Sequence, residues 1–122
     1  MIIEKENIKS YIPQRYPFVM IDNLIHANES GFSSSFHVNG ENIFSENGYL
    51  TEPALIENIA QTCAAGFGYI NRQNNEGSSI GYIGSISKLT VHQLPEYGTT
   101  IKTTIEITNT LGNIFLIILL FQ

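Results

Sequence analysis

Hydrophobic and polar positions alternate most regularly between Thr99 and Thr108, where Ile101, Thr103, Ile105 and Ile107 point one way and Lys102, Thr104 and Glu106 the other. A period of two with one greasy and one wet face is that of a strand on the side of a core. Ile80 to His92 and Asn113 to Phe121 read as its neighbours, separated from it by the turn signals Pro95-Glu96-Tyr97-Gly98 and Asn109 to Asn113. Earlier in the chain, Phe18 to Ile25 and Phe32 to Val38 flank Asn28-Glu29-Ser30-Gly31 and read as a hairpin. Upstream, Glu6 to Tyr11 predicts a short helix, with Ile8 and Tyr11 on one side and Pro13 as its stop.

The period changes after Thr51. Pro53 is suited to the first turn of a helix, and Ala54 to Ile70 continues without a breaker stronger than Gly66 and Gly68. Ala54, Leu55, Ile56, Ile59, Ala60, Cys63, Ala64, Ala65, Phe67 and Ile70 cover nearly the whole circumference, which predicts a buried helix. Its small residues allow close approach of a sheet or a second helix. Between hairpin and helix, Asn39 to Leu50 has the glycine, asparagine and glutamate content of a loop and carries the aromatics Phe44 and Tyr49. One buried helix among antiparallel strands is an α+β plan in which a curved sheet wraps a central helix, the hot-dog arrangement.

The remaining composition narrows the function classes. The chain has 122 residues, 43% of them hydrophobic, enough for one domain. Its 11 acidic and 6 basic residues give a formal charge of −5, and without a Lys/Arg cluster a nucleic-acid surface is disfavoured. Cys63 has no partner for an internal disulfide, and His26, His37 and His92 lie too far apart in sequence for zinc spacing, so neither a metal nor another cofactor is expected and a cytoplasmic setting fits. The longest apolar run, Ile114 to Phe121, is far short of a membrane span.

Three stretches carry a family resemblance. Ile12-Pro13-Gln14-Arg15-Tyr16-Pro17-Phe18-Val19-Met20-Ile21-Asp22 resembles the opening signature of 3-hydroxyacyl-(acyl carrier protein) dehydratases. Leu55-Ile56-Glu57-Asn58-Ile59-Ala60-Gln61 is similar to that family's catalytic helix, with a Glu and a Gln one turn apart. Lys88 to His92 followed by Pro95-Glu96-Tyr97-Gly98-Thr99 resembles its strand, turn and strand. The family's His-Phe-Pro-Gly loop would fall within Asn42 to Leu50, which here is shorter and holds no His. That loop and Glu52 to Glu57 look more like the divergent branch of aryl-polyene and flexirubin-type pigment pathways, in which such a chain partners a more complete dehydratase. The resemblance implies one hot-dog domain over residues 1–122 that stops before the family's last strand, an acyl thioester on acyl carrier protein or coenzyme A as substrate, and a homo-oligomer or a heterodimer with a His-bearing relative.

Candidate site residues follow from residue chemistry and resemblance together. Glu57 is a carboxyl on an otherwise apolar helix; burial favours the neutral form, which donates a proton to a leaving hydroxyl. The alternative is a structural carboxyl satisfied by Gln61 or by a backbone amide. Gln61 is a candidate for substrate binding, for orienting Glu57, or for bonding loop backbone. Gly48 with Tyr49, near the helix N-terminus, is a candidate source of a backbone N–H for the thioester carbonyl, against a plain turn glycine. Cys63 and the three histidines read as structural. The activity expected is dehydration; the alternatives are a non-catalytic acyl-binding subunit and an acyl thioesterase.

Overall fold

The computed structural model describes residues 1–74, 94–110 and 113–121, with side chains up to residue 107. Among the described residues a four-stranded antiparallel sheet runs in the order β1 (Asn23–Asn28), β2 (Gly31–His37), β5 (Thr100–Thr110) and β6 (Asn113–Phe121). Between β2 and β5 come a two-stranded hairpin, β3 (Ser45–Glu46) and β4 (Tyr49–Leu50), and one long helix, α1 (Glu52–Gln73). α1 lies across β1, β2 and β5. The expected strand at Ile80 to His92 and the motif beginning at Lys88 lie outside the described residues.

Register makes one sheet face the core. Phe32 pairs with Ile105, Ser34 with Thr103 and Phe36 with Ile101, and all six are buried beneath the helix. The intervening Ser33, Ser35 and His37 of β2, and Thr100, Lys102 and Glu106 of β5, therefore point to the opposite face. In β1 the register slips between Leu24 and His26, so Ile25 is the extra residue of a bulge. The slip keeps Leu24 fully buried and turns the exposed His26 outward.

Three expectations change. The upstream helix is a single 3-10 turn at Ile8–Ser10, held by Tyr11 N–H donating to Ile8 O. Phe18 to Ile25 is not one strand, because the backbone of Phe18 and Met20 bonds helix side chains instead of a neighbouring strand and pairing in β1 starts only at Asn23. α1 is not buried by apolar residues all round: Ile56 is 41% exposed, while Asn58, Gln61 and Thr62 are completely buried. The loop Asn39 to Leu50 contains the β3–β4 hairpin, whose turn is Asn47-Gly48 with φ of 52° and 86°, the left-handed pair that a two-residue hairpin requires.

Thr51 caps α1 in extended conformation, and its hydroxyl donates to Phe44 O at 2.6 Å, tying the loop to the helix start. Farther along, Gly66 meets the ring of Phe32: a Cβ there would sit 2.3 Å from Phe32 Cδ1, so only glycine lets the helix settle this close to β2. Phe67 closes the contact with an edge-to-face ring at 5.0 Å. No described helix is long and apolar enough to cross a membrane.

Candidate active site

A helix presents residues i, i+1, i+4 and i+5 as one patch, and at Glu57, Asn58, Gln61 and Thr62 that patch is polar. Buried polar groups are tolerated when every donor and acceptor is engaged. Here they are. Asn58 Nδ2 donates to Met20 O at 2.6 Å, and Asn58 Oδ1 accepts from Thr103 Oγ1 at 2.5 Å. Thr62 Oγ1 donates to Asn58 O at 2.7 Å. Its one hydroxyl proton being so used, Thr62 accepts from Ser34 Oγ at 2.7 Å. Helix, two central strands and the extended segment before β1 are thus joined by side-chain bonds.

Gln61 is the link to the carboxyl. Its Oε1 accepts from Met20 N–H at 2.7 Å, and its Nε2 donates to Phe18 O at 2.9 Å and to Glu57 Oε2 at 3.0 Å. Glu57 is half-buried, so its carboxyl is held from the protein side and remains reachable from outside. Among the described residues no cation pairs with it; the single described ion pair joins Lys5 and Asp22 at 3.9 Å.

The structure brings Glu57 and Gln61 together and places the other two candidates elsewhere. Gly48 and Tyr49 lie on the small hairpin, which docks on the segment before β5: Gly48 O accepts from Tyr97 N–H at 2.9 Å, Tyr49 bridges Glu96, and Leu50 N–H donates to Pro95 O at 2.8 Å. Gly48 faces open space, and Tyr49 is 40% exposed. His37 points away from the helix, with Nδ1 3.3 Å from Thr100 Oγ1, and His26 Nε2 is paired with Asn28 Nδ2 at 2.8 Å. His92 lies outside the described residues. Cys63 is a core residue whose thiol burial pushes up to about 12, so it is no nucleophile.

Sequence reasoning missed Asn58, Thr62, Ser34 and Thr103. The available signal was three polar residues at i, i+3 and i+4 within an apolar helix, matched by small hydroxyl residues on the inward faces of two strands. Two clefts among the described residues lie away from the carboxyl. One of about 590 Å³ lies on the outer sheet face beside His37 and Lys102, and one of about 500 Å³ lies between the first 3-10 turn and Asn39 to Asn42. Neither is lined by Glu57 or Gln61. Among the described residues no three His, Cys, Asp or Glu side chains gather as metal ligands.

A family model described as ApeP-like, ApeP dehydratase, matches residues 6–112. The structure is similar to a chain of the dehydratase heterocomplex ApeI:P from Xenorhabdus doucetiae, with a TM-score of 0.74 and 14% identity over 93% of this chain and 87% of that one. At that identity the likeness speaks for the fold, the hot-dog arrangement of an antiparallel sheet around one helix. No curated protein sequence matches the chain.

Proposed function

The chain belongs to the ApeP-like dehydratase family, and from that premise we propose that it is the carboxyl-bearing subunit of a two-chain dehydratase acting on a 3-hydroxyacyl thioester of acyl carrier protein or coenzyme A in the cytoplasm. The observation that carries this reading is Glu57: a half-buried carboxyl anchored by Gln61 on one oxygen and reachable on the other side, with the described histidines His26 and His37 both turned away from the helix. A base is needed opposite this acid, and a second, His-bearing hot-dog chain supplies it. A relative in fold that is itself part of a dehydratase heterocomplex supports such a pairing.

The chemistry then divides between chains. The partner's base takes the proton from C2 of the acyl group, and that electron pair becomes the C2–C3 double bond. The C3–O bond breaks as Glu57 gives its proton to the departing hydroxyl, which leaves as water. Glu57 is left as a carboxylate and the partner's base protonated; the base releases its proton to solvent and Glu57 regains one before the next turnover.

Hydration of a trans-2-enoyl thioester by this chain, by a His-bearing relative, and by their mixture tests the reading. The mixture should exceed the sum of the separate rates, and Glu57→Gln in this chain should lower the mixture's rate by about 10²- to 10⁴-fold, the usual contribution of a positioned acid, without loss of fold. A mixture no faster than the relative alone, or one indifferent to Glu57→Gln, overturns it. Release of free thiol in place of hydration would make the protein a thioesterase.

A further inference from the structure

Resting on the assignment of Glu57 as the acid, we infer that Gln61 decides which oxygen of Glu57 carries the transferable proton, and that this oxygen is Oε1. The Gln61 amide has one possible orientation. Met20 N–H is a donor only, so the atom facing it at 2.7 Å is the amide oxygen. Phe18 O is an acceptor only, so the atom facing it at 2.9 Å is the amide nitrogen. Flipping the amide would set donor against donor and acceptor against acceptor at both contacts, in a place with no water to relieve it, since Gln61 has no exposed surface.

The second hydrogen of that nitrogen goes to Glu57 Oε2 at 3.0 Å. In a neutral carboxyl the carbonyl oxygen is the better acceptor, so Oε2 is the carbonyl and the hydroxyl proton resides on Oε1, the oxygen that Gln61 does not occupy. When the proton leaves, the same N–H bond becomes charge-assisted and shorter, and the carboxylate forms without turning. The lock has a second anchor: Met20, whose N–H sets the amide, is also held at its carbonyl by Asn58 Nδ2 at 2.6 Å, one turn before Gln61 on the same helix. Gln61 is therefore a positioning residue acting through Glu57, and its burial keeps it from touching substrate.

The direct readout is the infrared carbonyl stretch of Glu57, recorded in acidified samples in which the carboxyl is protonated and identified as the band lost in Glu57→Gln. A hydrogen bond to the carbonyl lowers that frequency, so Gln61→Met, which removes the donor, should move the band to higher wavenumber. Gln61→Glu, which keeps an acceptor for Met20 N–H and has one proton where the amide has two, should move it as well if Gln61→Met fails to fold, upward where that proton goes to Phe18 O and downward where it goes to Glu57. In the mixed-chain assay Gln61→Met should lower kcat by about 10- to 100-fold with little change in KM, as expected when a reacting group is mis-set and not unbound. A band that stays in place in both variants places the proton on Oε2 and overturns the inference. A shifted band with no hydration activity in any mixture leaves the proton placement standing and removes the dehydratase reading. Hydration that depends on Glu57 with an unmoved band does the reverse.

Discussion

Two adjacent stretches of α1 are buried against the same sheet by opposite means. From Glu57 to Thr62 the helix is held by side-chain hydrogen bonds to Phe18, Met20, Ser34 and Thr103. From Cys63 to Phe67 it is held by contact alone, with Ala65 buried and Gly66 pressed on the ring of Phe32. The difference teaches where a functional carboxyl is tolerated. A close-packed interface gains from every buried methylene and has no means to satisfy a carboxyl, whereas a network of fixed donors holds one at a set angle. Bonds in such a network contribute modestly on balance, and leaving one half-made is expensive. The polar stretch is thus the more specific of the two and the more easily broken.

The comparison breaks most visibly at Phe32. Phe32→Ala should lower unfolding free energy by about 3–5 kcal/mol, since nothing else fills the space beside Gly66. Urea unfolding measures this, and a loss below about 1.5 kcal/mol, the range of well-tolerated core swaps, would mean that the contact stretch is not the tighter packed one. On the polar side, Asn58→Leu removes the partners of Met20 O and Thr103 Oγ1 together, for an expected loss of about 2–4 kcal/mol from two stranded buried groups. Were Asn58→Leu neutral, the polar stretch would be held by packing like its neighbour and the contrast would vanish.

Ser34→Ala sharpens the same contrast. Thr62 keeps its own bond to Asn58 O when Ser34 Oγ is deleted, so one bond is lost without stranding a donor, and about 1 kcal/mol is expected. The smallest effect belongs to Cys63. Its thiol is raised from 9.0 to about 12 by burial, so between these values the unfolded chain has released a proton that the folded one retains. Its contribution is fully present below pH 9 and is lost as pH rises toward 12, at up to about 1.4 kcal/mol per pH unit for one proton. Wild type should therefore lose more stability than Cys63→Ala between pH 7.5 and pH 9.5, by somewhat under about 1 kcal/mol, and parallel losses would show that the thiol is not buried as described.

Legibility followed sequence range. Alternation in β5, Pro53 at the start of α1 and the turn at Asn28 to Gly31 are local patterns, and the structure repeats them. Asn47-Gly48 was an equally local hairpin signal inside a stretch read only as loop. Glu57 and Gln61 were visible because a carboxyl and an amide one turn apart in an apolar helix require an explanation. Their bond is in place. The bulge at Ile25, by contrast, depends on which residues of β2 stand opposite, and nothing within β1 announces it.

By itself, then, the sequence determined α1, β2, β5 and β6 and the inward face of β5, because helical and strand periods are written residue by residue. It also determined that a carboxyl would stand on the central helix. Only the tertiary structure decided that Asn58, Gln61 and Thr62 go inside while Ile56 stays out. A polar side chain is buried when distant atoms satisfy it, and those atoms, on Phe18, Met20, Ser34 and Thr103, come to the helix from 28 to 45 residues away along the chain. Hydropathy ranks Ile56 above Gln61. Hydrogen-bond satisfaction reverses that order, and it exists only once the sheet has closed over the helix.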